Sequence, residues 1–196
     1  MTTLLTTELI ERAHQGSKAK GFWDETPPQG QQLMLVISEL AEALEAHRKG
    51  KVCTIGASSS VFQADMHPDL FPAEFLTYVK DTVGDEMADA YIRLCDFIGG
   101  FAIEVPNEED MSYAAADTTP MPRNFGESLI EITGGVSDAW QELRYGKMKA
   151  DVGMYLAASC LAIEKLCKQQ DIPLAEHINA KLRYNATRNR LHGKSY

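Results

Sequence analysis

The chain has no CxxC pair, no long apolar run, no excess of basic charge and almost no strand-like alternation among its 196 residues. Each absence excludes a class. The longest apolar stretches fall short of the roughly 18 residues that a membrane span needs, so no membrane partner is expected. Cys160 and Cys167 lie seven apart in a predicted helix, separated by roughly 10 Å along its axis, too far to bridge. With Cys53 and Cys95 they read as buried thiols in a reducing compartment. The opening MTTLLTTELIERAHQ has neither a basic n-region nor an apolar h-region, and the expected location is cytoplasmic. A formal net charge of −9 argues against a protein that coats a nucleic-acid polymer. It fits one that handles a charged small molecule through a local site. At this length roughly 70% of the unfolded chain's surface can be buried, so folding needs no disulfide or structural metal.

What is present is helical periodicity. Residues 5–17 predict a first helix, stopped near Gly21 and followed by a loop with Pro27, Pro28 and Gly30. Residues 31–49 predict a second, with Leu33, Val36, Ile37, Leu40 and Leu44 on one stripe and Gly50 as its stop. Residues 51–71 form an irregular insertion, either a lid or surface decoration. A third helix is predicted from Phe75 to Ile98, ended by Gly99-Gly100, and 104–124 read as a linker.

Beyond the linker the pattern begins again. GQQLMLVISELAEALEAHRKGK (30–51) aligns without gaps to GESLIEITGGVSDAWQELRYGK (126–147), and VGDEMAD (83–89) aligns to VGMYLAA (152–158). The expected architecture is therefore an all-α helical bundle, one domain over 1–196, made of two degenerate tandem copies of a helix-pair unit: a fused pseudo-dimer. The first repeat covers about 30–100 and the second about 126–196. The second copy's helix from Val152 is apolar on nearly every side as far as Ile163, which predicts burial all round and a central position for its first-half counterpart. Carboxylates on that counterpart would then have to be paired or bind a metal.

Glu39 and Glu42 are three apart on the second helix, and Glu86 and Asp89 are three apart on the third. Residues at i and i+3 project to one side of a helix, with Cβ atoms roughly 5–6 Å apart. Two such pairs on antiparallel neighbours converge into a box of hard oxygen ligands suited to Mg²⁺, or to Mn²⁺. A solvated polar face accounts for the same spacing. Against it, the second copy places Gly135, Asp138, Tyr155 and Ala158 at the four positions, losing most of the charge. Asp85, beside Glu86, is expected to point away, Asp96 to be either exposed or behind the site, and His47 to lie on the surface. On the last helix Lys181, Tyr184, Asn185 and Arg188 share a face, and their side chains could grip a triphosphate. A solvated basic helix end is the alternative, and for Arg190 and Lys194 it is equally good.

GFWDE…QQLMLVISELAEALEAHRKGK, VGDEMADAYIRLCDFIGG and HINAKLRYNATRNRLHGKSY resemble the MazG-like all-α nucleoside triphosphate pyrophosphohydrolases, relatives of the dimeric dUTPases and the phosphoribosyl-ATP pyrophosphohydrolases. The family's ExxE and ExxD motifs are matched by Glu39-Glu42 and Glu86-Asp89. The resemblance implies Mg²⁺-dependent hydrolysis of nucleoside triphosphates, dNTPs foremost, to monophosphate and pyrophosphate. Glu39, Glu42, Glu86 and Asp89 would be metal ligands, with Glu39 or Glu42 catalytic in activating water. Lys181, Asn185 and Arg188 would bind substrate. Trp23 would stack on the base or plug the bundle end, and Lys20 would touch phosphate. The chain departs from single-unit relatives: its first copy keeps the acids and its second keeps the Lys/Asn segment. One site per chain, assembled from both halves of a monomer or homodimer, is therefore expected. A dUTPase-like or phosphoribosyl-ATP specificity is the alternative within the enzyme class. Outside it stands a non-catalytic helical nucleotide-binding or interaction protein. A di-iron bundle is disfavoured, since none of the five histidines stands three residues after Glu39, Glu42 or Glu86.

Overall fold

Every regular element in the computed structural model is helical among the described residues, which are 3–53, 60–63, 65–107, 110, 120–146 and 149–193. The helices are α1 (Thr7–Ala19), α2 (Gln29–Arg48), α3 (Phe71–Tyr78), α4 (Val83–Gly100), α5 (Phe125–Tyr145), α6 (Lys149–Gln169) and α7 (Leu174–Thr187). None is long and apolar enough to cross a membrane.

Local chemistry sets the starts and stops. The Thr6 hydroxyl accepts from the Leu9 amide at 3.2 Å and the Asn124 side chain from the Glu127 amide at 3.2 Å, which caps α1 and α5. Beyond α2, Gly50 takes φ +65°, a left-handed conformation that ends the helix cheaply.

The single helix predicted over Phe75–Ile98 is two helices. Asp81 turns to φ 61°, and the Thr82 hydroxyl accepts from the Asp85 amide at 3.3 Å while donating to the Val79 carbonyl at 2.7 Å. A capped start at Thr82 re-aims α4 relative to α3, so the apolar periodicity continues across a break in the axis.

Helix α4 is the axle of the bundle. Thirteen of its eighteen residues are buried, because α1, α2, α6 and α7 all pack against it. Around it α2 pairs with α4, α5 pairs with α6, and the two pairs meet through α2 and α5. The apolar surfaces of six helices, all but α3, join in one core that includes Leu40, Met87, Leu94, Ile132, Leu156 and Leu166. A smaller cluster of Val61, Phe71, Phe75, Val79 and Ala180 lies under α3.

The prediction that the Val152 helix is buried all round is corrected: Met154 is 57% exposed and Ala158 also faces out. Its neighbours α4 and α5 cover part of its circumference, and α7 touches it only lightly. Of the insertion at 51–71, the described part is fastened down. Arg183 on α7 donates to the carbonyls of Gln63 at 3.2 Å and Met66 at 2.6 Å, with its guanidinium 4.1 Å over the Phe71 ring. Residues 54–59 and 64, most of the 104–124 linker, and Lys194 lie outside the described residues.

Candidate metal centre and adjoining cavity

Because α2 lies along α4, their acidic residues face one another. Carboxylate oxygens of Glu39, Glu42 and Glu86 lie within 4.8 Å of one another. Glu39 and Glu86 are buried at 5% and 4% exposure, and Glu42 is exposed. Asp89 adjoins this trio without joining it: its Oδ2 is 2.7 Å from the Lys181 ammonium. Three of the four predicted ligands are thus brought together, and the fourth is tied to a cation.

The electrostatics of the trio are those of a site short of positive charge. Burial pushes the Glu86 carboxyl up to about 8, and the neighbouring carboxylates of Asp85 and Asp89 push the same way. The Glu86 amide donates to the Thr82 carbonyl at 3.1 Å, but its side chain has no hydrogen bond and no ion pair among the described residues. Burial also raises Glu39, opposed by the Arg93 guanidinium, whose Nε and Nη2 both lie 2.7 Å from Oε1. The donor set is oxygen only, which suits a hard divalent cation such as Mg²⁺ or Mn²⁺ and no soft one.

Asp85 does not point away. It is 1% exposed, and both its oxygens contact Lys181 Nζ, at 2.8 and 2.9 Å. The contact is possible because α4 and α7 approach closely at Gly84, where a Cβ would stand 2.3 Å from His177 Nε2. Burial pulls the Lys181 ammonium down, and the carboxylates of Asp89 and Asp85 outweigh it, so the lysine is held charged.

Beside the acids a cavity of about 470 Å³ opens between α1, α2, α4 and α7. Glu39 and Asp89 form part of its wall, and Asn185 of α7 and Arg188 just past its end form another part. The Asn185 Oδ1 is buried without a hydrogen-bond partner. Three further arginines, Arg12, Arg93 and Arg183, line the cavity, as do Asn179 and Phe22. Arg12 donates to Asn179 Oδ1 at 3.1 Å across α1 and α7. Five cation- or amide-bearing side chains here were not singled out from sequence: Arg12, Arg93, Arg183, Asn179 and Gln32. For Arg93 the signal existed, since it stands four residues after Asp89 on the same helical face.

Other predicted residues have different work. Lys20 caps α7, donating to the carbonyls of Ala186 at 2.8 Å and Arg188 at 2.6 Å, so its ammonium is spent on a helix end and not on the cavity. Trp23 plugs the bundle end: its Nε1 donates to Asp96 Oδ1 at 2.9 Å, and its ring meets His14 and Phe101 edge-on. Its neighbour Phe22 is the aromatic that reaches the cavity. Asp96 lines the cavity and also takes a 3.0 Å contact from His14 Nδ1. Tyr184 leaves the shared face to stack on Phe75 at 4.4 Å. Arg190 pairs with Asp24 at the surface, and His47, exposed as expected, stacks on Phe125.

Fold and site together define an all-α bundle with an acidic, oxygen-only centre opening beside an arginine-lined cavity. No family model matches the chain, and neither a characterised protein nor a solved structure does.

Proposed function

We propose that the chain is a MazG-like nucleoside triphosphate pyrophosphohydrolase, dependent on Mg²⁺ or Mn²⁺, that splits NTPs, dNTPs foremost, into monophosphate and pyrophosphate. One observation carries the reading: three carboxylates that lack a full complement of cations converge next to a cavity of nucleotide-compatible size lined with guanidinium groups. Glu39, Glu42 and Glu86 would hold the ion, with Asp89 adjoining. When bound, the ion supplies Lewis-acid stabilisation of charge on the phosphate oxygens. Arg93, Arg188 and Arg12 contribute fixed positive charge toward the polyphosphate, and guanidinium forks match phosphate oxygens in pairs. Glu39 is committed to Arg93 through Oε1, which leaves exposed Glu42 to orient the attacking water and take its proton. The P–O–P bridge breaks, the water oxygen stays on one phosphorus, and pyrophosphate leaves.

The site draws on both halves of the chain, since Glu39 and Asp89 of the first share a cavity with Asn185 and Arg188 of the second. This supports the fused pseudo-dimer with one site per chain.

A second reading has one observation in its favour. Lys181 and Arg93 already compensate part of the acidic charge without metal, as in a bundle that binds nucleotide and does no chemistry. Magnesium-dependent pyrophosphate release from an NTP and dNTP panel, dUTP and phosphoribosyl-ATP included, decides between them. Release abolished by Glu86→Gln supports the enzyme. Nucleotide binding with no release under any divalent metal supports the second reading.

A further inference from the structure

We propose that Lys181 stands in the place of a second cation, so that the acidic centre takes one divalent ion, at Glu39, Glu42 and Glu86, and not two. The proposal rests on the metal-dependent reading above and fixes its stoichiometry.

An ammonium has three N–H donors and no acceptor. Lys181, 5% exposed, meets three carboxylate oxygens: Asp85 Oδ1 at 2.8 Å, Asp85 Oδ2 at 2.9 Å and Asp89 Oδ2 at 2.7 Å. Its donors are saturated, and none is left for a phosphate oxygen.

The acids fall into two sets that share Glu86. Glu39, Glu42 and Glu86 form one; Asp81, Asp85 and Glu86 form the other, again with oxygens within 4.8 Å. The second set depends on Asp85, whose two oxygens both bind Lys181 and whose Oδ2 also accepts from the Asp81 amide at 3.1 Å. An ion bridging Asp85 and Asp89 would have to displace the same ammonium. Wherever a second ion would sit, a positive charge is already built in. The first set is the converse: Glu86 is nine-tenths buried and unpartnered among the described residues, with Glu39 and Glu42 beside it. One place lacks a cation and the other has one.

Lys181 is also fixed in position. The Phe75 ring lies 5.6 Å from Nζ, and the glycine contact of α4 with α7 sets its reach. Asp85 is then a positioning residue, holding the lysine against Asp89 and not ligating metal itself. A built-in charge of this kind is independent of the free metal concentration.

Mn²⁺ titration of the full chain without nucleotide, followed by electron paramagnetic resonance, tests this. Wild type is expected to bind one Mn²⁺ per chain with the spectrum of an isolated ion. Lys181→Met is expected to bind two, magnetically coupled through the shared Glu86. Asp85→Asn is expected to keep the one ion, with affinity reduced by no more than about 100-fold. Two coupled ions in wild type, or one in a folded Lys181→Met, overturn the lysine's role while leaving the metal site standing. No ion bound by wild type overturns the metal site and the enzyme reading with it. Should Lys181→Met not fold, the wild-type count and Asp85→Asn still decide: a loss of more than about 100-fold in the latter, beyond what a supporting group contributes, makes Asp85 a ligand and ends the proposal.

Discussion

Arg93 grips Glu39 by one oxygen: Nε and Nη2 both lie 2.7 Å from Oε1, and no contact claims the other oxygen among the described residues. The guanidinium opposes the upward push of burial on this carboxyl and holds it in one orientation, and Arg93 itself stands four residues after Asp89 on α4. Supporting groups of this sort typically contribute about 10–100-fold to metal affinity. Arg93→Gln is expected to weaken Mn²⁺ binding by that order with helical content unchanged. Arg93→Lys restores charge without the planar fork and should recover only part of it. Equal Mn²⁺ affinity in wild type and Arg93→Gln would remove Arg93 from the site.

Glu86 exchanges stability for binding. A buried carboxylate with no partner costs folding free energy, and a neutral amide of the same shape costs less. Glu86→Gln is therefore expected to raise the thermal midpoint of the metal-free chain, by the equivalent of about 1 kcal/mol. It should also abolish the upward shift that Mn²⁺ produces in wild type. Thermal melts with and without Mn²⁺ check both halves. A variant less stable than wild type in the absence of metal shows that Glu86 has a partner in the folded protein.

Much of this geometry is readable in the chain, and the remainder fails for identifiable reasons. Leu33, Val36 and Leu40 mark the buried face of α2 because a 3.6-residue period needs no tertiary information. The same logic places Glu39 and Glu86 at one helix contact. The break before α4 also left a mark: Thr82 followed by Asp85 has the spacing of a capped start, hidden by apolar periodicity that runs on from Phe75. Lys20, Trp23 and Lys181 are different. Spacing gives the face a side chain occupies, whereas their roles come from partners 73 to 168 residues away: Asp96 for Trp23, the last carbonyls of α7 for Lys20, and Asp85 for Lys181. Nothing local encodes such pairings.

Gly84 tests whether α4 and α7 must touch for the centre to form. A methyl group there would lie 2.3 Å from Nε2 of His177, a ring that is itself 1% exposed and cannot swing aside into solvent. Overpacking of this kind costs about 1–3 kcal/mol. Gly84→Ala is expected to lower stability by that amount in urea unfolding and, by drawing Lys181 off Asp85 and Asp89, to let a second Mn²⁺ bind as in Lys181→Met. Gly16, which has nothing within 4 Å of its would-be Cβ, supplies the control: Gly16→Ala in mid-α1 should be neutral or slightly stabilising. Similar losses in both variants would mean that helix propensity and not the α4–α7 contact governs the response.

His177 gives the fold a pH dependence whose sign follows from its burial. Its Nδ1 has no hydrogen-bond partner, its ring meets Phe62 edge-on at 5.0 Å, and Lys181 lies one turn along α7. Burial, reinforced by the Lys181 charge, lowers its pKa from 6.5 to about 4. Above 6.5 the imidazole is neutral in both folded and unfolded chains, and contributes no pH dependence. Below 6.5 the unfolded chain takes up a proton that the folded chain refuses, so stability falls until about pH 4, where both states carry it. Over that window the loss is about 3 kcal/mol at most. His177→Gln removes the titration while leaving every carboxylate in place, so the other acids affect both proteins alike. Between about pH 7.5 and pH 5, wild type is expected to lose about 2 kcal/mol more than the variant in urea unfolding. Parallel losses would show that the ring reaches water in the native state, which the close packing of Gly84 and Phe62 against it forbids.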